Sequence, residues 1–233
     1  MGMHYAELDG EDKDVYEAIF QAYQPRFSGD DIPVKPVQIA VSLAEKFVTL
    51  VGIFGIGMLP KGDKDPFGLR RAAIGLIRII IENGVELDFV DVVSKVCDLL
   101  QDKLKNKSTK DNVIDFILTR LKSFYQDRGI DAQIYLAVLS VKPCNLLDFD
   151  RRVKAVSAFK TLPESADLAA AYKRISNILA KTEISFEKVN SSLLKDNYEK
   201  RLADHIEALA PVLKNFYDVG NYQDAMSKVS EIR

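Results

Sequence analysis

Apolar residues along this chain recur at a spacing of three to four, and strict alternation of apolar and polar positions is nearly absent. That period is the signature of amphipathic helices and argues against half-buried strands. The pattern predicts a helix over Glu11–Gln24, stopped by Pro25, and then a loop over Arg26–Pro36 rich in Gly, Asp and Pro. A long apolar helix follows from about Val37, its second half loosened by Gly52, Gly55 and Gly57. After the charged segment Leu59–Asp65, the pair Asp65-Pro66 is expected to open another helix. Asp can cap it, and Pro suits the first helical position. Leu69, Ala72, Ala73, Leu76, Ile77 and Ile80 form its core stripe, and Asn83-Gly84 stops it.

Further helices are predicted at Asp88–Lys103, Lys110–Asp127, Asp131–Val141, Asp148–Thr161, Glu164–Lys181, Leu193–Lys214 and Tyr222–Ile232, with Asp88, Thr109 and Ser165 as capping residues. Short connections make successive helices antiparallel neighbours, so the expected fold class is an all-α bundle. The best internal boundary is the polar stretch Lys103–Lys110 or the Asn83-Gly84 break, and we place it near residue 85.

Composition narrows the function. Of 233 residues 47% are hydrophobic and 28% charged, enough apolar mass for a packed core. A net charge of −2 requires any nucleic-acid contact to come from a local face. Cys97 and Cys144 stand in unrelated settings, which fits a reducing compartment. Each reads as a small, buried or half-buried hydrophobe. No basic region precedes an apolar run at the start, so a signal peptide is not expected. The most apolar stretch, Thr49–Leu59, falls short of the roughly 20 residues of a membrane span.

No constellation of residues points to catalysis. The glycines of 52–57 miss the dinucleotide spacing and follow no strand, and Asp63 stands where a phosphate loop would place its lysine. Close helix packing explains these glycines better. His4 and His205 have no partner at metal-ligand or base–nucleophile spacing and read as surface residues. The carboxylates scatter over helix faces, and no acid–base pair stands out.

Two basic clusters remain. Lys61, Lys64, Arg70 and Arg71 surround a helix start, where the macrodipole disfavours cations by about a few tenths of a kcal/mol. They need a carboxylate or an external phosphate, and the internal salt bridge is the commoner outcome. Lys173, Arg174, Asn177 and Lys181 share one helix face, opposite Leu168, Tyr172, Ile175 and Leu179. The apolar stripe must point into the bundle, which aims the basic stripe outward. An outward basic stripe is usually a solvated surface.

Read end to end, the chain resembles the β subunit of the two-subunit bacterial glycyl-tRNA synthetase. The likeness begins with Met1-Gly2, Tyr5-Ala6, Gly10-Glu11, Pro25, Arg26, Phe27, Gly29 and Asp30. It is most specific in Thr49-Leu-Val-Gly-Ile-Phe-Gly-Ile-Gly57 and Gly62-Asp-Lys-Asp-Pro-Phe-Gly-Leu-Arg-Arg-Ala-Ala73. Asp167-Leu-Ala-Ala-Ala-Tyr-Lys-Arg-Ile-Ser-Asn-Ile-Leu179 resembles the family's anticodon-binding helical region, related to that of arginyl-tRNA synthetase. The resemblance implies the end of an HD-like helical domain over residues 1–85. It implies connecting helices and an anticodon-binding, DALR-like bundle over residues 86–233.

It further implies a cytoplasmic ligase subunit that binds glycine tRNA and assembles with an α subunit into an α2β2 heterotetramer, with neither membrane nor DNA as partner. The α subunit would use ATP and magnesium, and this chain would hold no cofactor, no metal and no catalytic centre. The tRNA-contact candidates are then Lys173, Arg174, Asn177 and Lys181, with Arg151 and Lys154 from the preceding helix and Lys61, Lys64, Arg70 and Arg71 from the first cluster. An assembly module holding the α subunit or other β-subunit domains is the alternative. Where the family usually reads Ala-Asp-Lys-Leu-Asp-Thr, this chain has Ala44-Glu45-Lys46-Phe47-Val48-Thr49, with Val48 replacing an acidic metal ligand of true HD hydrolases. Family members extend beyond both ends of this chain, so it is expected to be part of a longer protein, with more of the bundle after Arg233.

Overall fold

The computed structural model describes residues 1–181 and 191–230. Among them are eleven α-helices and no strand, as the helical period predicts. Two compact units divide the chain, Met1–Phe149 and Asp150–Arg233. Residue 85 falls inside the first, between its fourth and fifth helices.

The first unit holds α1 (Gly2–Leu8), α2 (Lys13–Gln21), α3 (Pro36–Gly55), α4 (Leu69–Glu82), α5 (Phe89–Leu99), α6 (Thr109–Gln126), α7 (Ala132–Leu139) and the start of α8 (Leu146–Lys160). Its centre is α3, which packs against α2, α4, α5 and α6. At 20 residues α3 has the length and apolarity of a membrane span. It is instead a core helix, because Leu43, Phe47, Leu50, Val51 and Phe54 are all buried against those neighbours. Lys46 and Gln38 are buried on it too. In α4, Leu69, Ala73, Leu76, Ile77 and Ile80 are buried as their spacing predicts. A second cluster stacks Tyr125 and Tyr135 on Phe149, with ring centres 5.8 and 5.5 Å away. The Tyr135 hydroxyl donates to Leu118 O at 2.8 Å, and burial pushes its pKa up to about 12.

Several boundaries differ from the sequence reading, each for a local reason. Residues Gly2–Leu8 form α1, too short for a period to show. Helix α4 begins at Leu69 instead of Pro66. Asp65 caps it from a distance by accepting the N–H groups of Leu69 and Arg70, both at 2.9 Å, while Gly68 holds the left-handed turn at φ 65°. Asp88 caps α5 as expected, through Val90 and Asp91. Thr109 and Ser165 are the first residues of their helices and not side-chain caps. Beyond α4, the Gly84 turn (φ 65°) sends the chain away, so α4 packs on α3 and α6 and not chiefly on α5.

The polar stretch before α6 docks on the end of α3. Lys105 and Asn106 donate their backbone N–H groups to Gly55 O at 2.8 and 2.9 Å. A Cβ at Gly55 would lie 2.1 Å from Leu104 Cδ2, so close packing accounts for this glycine.

The second unit contains the rest of α8, with α9 (Ser165–Leu179), α10 (Asn197–Asp218) and α11 (Tyr222–Val229). A capping box sets the start of α10 four residues later than expected. Asp196 accepts from Tyr198 N at 2.8 Å, and Glu199 accepts from Asp196 N at 3.2 Å. The helix then runs through Pro211. α10 packs on α11, around Leu209, Tyr222 and Ala225. The expected end of α11 at Ile232 lies outside the described residues.

Candidate nucleic-acid interface

The four cations of the first cluster do not find the internal carboxylates expected for them. Among the described residues none of Lys61, Lys64, Arg70 and Arg71 is within ion-pair distance of an acidic side chain. Of the two acids in this segment, Asp63 and Asp65, the second is occupied by the backbone N–H groups of α4. The arginines turn to carbonyl oxygens, Arg70 to Gly62 O and Arg71 to Arg26 O, the latter at 3.4 Å. Lys61 and Lys64 exchange backbone hydrogen bonds across the Gly62 turn and leave both ammonium groups exposed.

In the second unit, Lys173, Arg174, Asn177 and Lys181 are all exposed, as expected. The opposite stripe corrects the sequence reading. Helix α9 buries no residue: Tyr172, Ile175 and Leu179 are 74%, 55% and 51% exposed, and Leu168 is half-buried. Heptad-like spacing makes an apolar stripe, but a stripe is buried only when another element covers it. α9 therefore presents two faces to solvent, one basic and one aromatic-aliphatic.

Arg151 and Lys154 are engaged elsewhere in this unit. Lys154 pairs with Asp150 at 2.6 Å, and the Arg151 guanidinium lies beside Gly220, where a Cβ would be 3.3 Å from its Nη1. Sequence reasoning missed their neighbour Arg152. It donates to the Tyr222 hydroxyl at 2.7 Å across 70 positions of sequence separation, a pairing that no local pattern announces.

The remaining chemistry-bearing residues are dispersed. His4 and His205 are exposed, as the sequence reading has them. Cys97 is half-buried, and burial raises its thiol pKa; Cys144 is exposed, contrary to expectation, because the turn before α8 leaves it outside the core. Val48 faces an apolar groove between α3 and α5, with Phe47, Val92 and Val96. Sequence reasoning also passed over Lys46, which stands on the buried stripe of α3 between Leu43 and Leu50. A lysine at a core position was the signal.

A family profile described as "Glycyl-tRNA synthetase beta subunit" matches residues 1–140, more than half of the chain. The chain belongs to that family. Proteins named "Glycine--tRNA ligase beta subunit" match across it: the one from Pseudoalteromonas translucida (strain TAC 125) is 52% identical, and those from Aliivibrio salmonicida (strain LFI1238) and Escherichia coli (strain K12) are each 50% identical. Each alignment covers 100% of this chain and 34% of the relative. The chain thus spans about a third of the length of the curated relatives it matches. The family profile ends at residue 140, so it covers α1–α7 and leaves α9 outside.

Proposed function

We propose that this chain acts in glycyl-tRNA synthesis as a tRNA-recognition part of a glycine–tRNA ligase β subunit. On this reading glycine activation and transfer, with ATP and magnesium, fall to an α subunit in an α2β2 assembly in the cytoplasm, and this chain supplies no catalytic centre. Family membership supports the general role. The observation that carries the tRNA-binding part is the exposure of α9, which presents Lys173, Arg174, Asn177 and Lys181 on one side and Tyr172 on the other. Lys and Arg supply phosphate contacts, while an amide and an exposed ring suit unstacked bases. Lys61, Lys64, Arg70 and Arg71, with no carboxylate partner among the described residues, extend the set of phosphate-contact candidates.

One observation favours a second reading. The exposed apolar stripe of Tyr172, Ile175, Ile178 and Leu179 also suits a protein contact, as in an assembly module that holds the α subunit or another β-subunit domain. Titration of the chain with glycine tRNA and a non-cognate tRNA decides between them. Tighter binding of glycine tRNA that weakens in a Lys173→Ala/Arg174→Ala variant supports recognition. Equal affinities unchanged by that variant support assembly.

A further inference from the structure

We propose that the cavity where the turn after α2 meets α3 and the start of α4 binds a phosphate group, held by Lys46 and Arg71 with Arg26 at its rim. The cavity measures ≈ 220 Å³ and is also lined by Tyr23, Glu45 and Thr49. It lies wholly in the first unit, so the proposal does not rest on the reading of α9.

The first ground is an underpaired buried cation. Lys46 is 2% exposed, on the core stripe of α3. Its ammonium donates to Ser42 Oγ at 3.0 Å and, at the long distance of 3.4 Å, to Ala22 O. The nearest carboxylate oxygen, Glu45 Oε2, is 3.7 Å away, and the other oxygen of Glu45 accepts from the Thr49 hydroxyl at 3.0 Å. A buried ammonium is costly unless paired closely and fully hydrogen-bonded. The protein atoms here meet that demand only in part.

The second ground is Arg71, which lies in the first turn of α4 and lines the same cavity. Its one hydrogen bond, to Arg26 O, is 3.4 Å long, and no described carboxylate pairs with it. Arg26, by contrast, is neutralised by Asp30 at 3.0 Å. The cavity therefore gathers two loosely compensated cations against the single carboxylate of Glu45. An arginine fork beside a lysine point charge suits a tetrahedral oxyanion. A phosphomonoester, with about −1.5 to −2 charge at neutral pH, fits this excess.

The third ground is the backbone around them. A Cβ at Gly68 would lie 2.9 Å from Arg71 Nη2. One at Gly75 would lie 2.9 Å from Lys46 Cε and 3.1 Å from Pro25 Cδ. Two glycines thus make room for these two cations.

The test titrates the full chain with inorganic phosphate at constant ionic strength, followed by backbone amide resonances. Saturable shifts are expected at Lys46, Gly68 and Arg71. Arg71→Gln and Lys46→Met are each expected to weaken binding by about tenfold or more, the loss typical of a charge-assisted hydrogen bond. Glu45→Gln should tighten it. Arg71 is exposed, so its variant keeps its melting temperature and the test stands even if Lys46→Met misfolds.

Two further arms use a short oligoribonucleotide with and without a 5′-phosphate. A gain from the 5′-phosphate that vanishes in Arg71→Gln assigns the site to a terminal phosphomonoester; equal, Arg71-dependent binding of both assigns it to backbone phosphate. The Lys173→Ala/Arg174→Ala variant should keep its phosphate affinity, which separates this site from the α9 surface. No saturable binding of any of the three probes, or binding indifferent to Arg71→Gln, overturns the proposal.

Discussion

The guanidinium carbon of Arg152 sits 4.2 Å from the centre of the Tyr222 ring, and its Nη2 donates to the Tyr222 hydroxyl at 2.7 Å. One arginine thus ties α8 to α11 by both a cation–π contact and a hydrogen bond. The Tyr217 ring, 5.7 Å from that of Tyr222, extends the cluster back to α10. Arg152→Ala should destabilise the second unit by about 1.5–3 kcal/mol, the range for a hydrogen bond to a charged group. Tyr222→Phe, which keeps the ring but loses the same hydrogen bond, should fall in the same range of about 1.5–3 kcal/mol. Amide exchange in α10 and α11 is the measurement. Unchanged protection in Arg152→Ala would show that the contact carries no stability.

Exposure along α9 reverses what its spacing suggests for mutagenesis. Tyr172→Ala and Ile175→Ala remove side chains that are already in water, so each should change stability by no more than about 0.5 kcal/mol. Ile77→Ala, at a position of 0% exposure in α4, should cost about 2–5 kcal/mol through lost burial and a residual cavity. Urea unfolding of the three variants checks this. A loss of several kcal/mol at Tyr172 would show that α9 is covered in the molecule in solution.

Residues that act through their neighbours in the chain were legible in the sequence: the stripe Leu69, Ala73, Leu76, Ile77, Ile80, the stop at Asn83-Gly84, the cap at Asp88. Spacing of three and four places side chains on one face whatever lies beyond it. Whether that face is covered is decided by elements far away, which is why the α4 stripe is buried and the equally regular α9 stripe is not. The candidate site divides in the same way. Exposed cations on α9 could be placed by helix geometry alone. The loose pairing of Arg71 with Arg26 O, and the cavity around Lys46, depend on segments 20 or more residues away in sequence.

The loop between α2 and α3 carries a pH-sensitive brace. The side-chain hydrogen bonds of Arg26, with a further one from its backbone N–H, hold the Asp30 carboxyl down at about 2, against an ordinary value of 3.8. A carboxylate depressed in the folded state stabilises the fold above its unfolded pKa. Its contribution is therefore full above pH 3.8 and is lost as the pH falls from there toward 2. Asp30→Asn should lower the melting temperature at neutral pH and flatten the fall in stability through that window. Parallel melting curves for wild type and variant across the window would contradict the assignment.

The basic face of α9 carries residues of two kinds, cations suited to affinity and an amide suited to discrimination. Lys173 and Arg174 are exposed, so replacing either by Ala should leave the fold intact, within about 0.5 kcal/mol. If each meets a phosphate, removing it releases one fewer counterion on binding. The salt slope of log affinity should then fall by about one unit per lost contact, whichever tRNA is used. Asn177 lies between them and Lys181 on the same face, and its amide carries both a donor and an acceptor. Asn177→Ala should leave the salt slope alone, cost about 1–3 kcal/mol of glycine tRNA affinity and narrow the gap to a non-cognate tRNA. Tyr172→Phe serves as a control for stacking, because it keeps the ring and loses only the hydroxyl. Binding curves at four or more salt concentrations distinguish these outcomes. A Lys173→Ala/Arg174→Ala variant with unaltered affinity and slope would take tRNA off this face and favour the exposed Tyr172–Leu179 stripe as a protein contact.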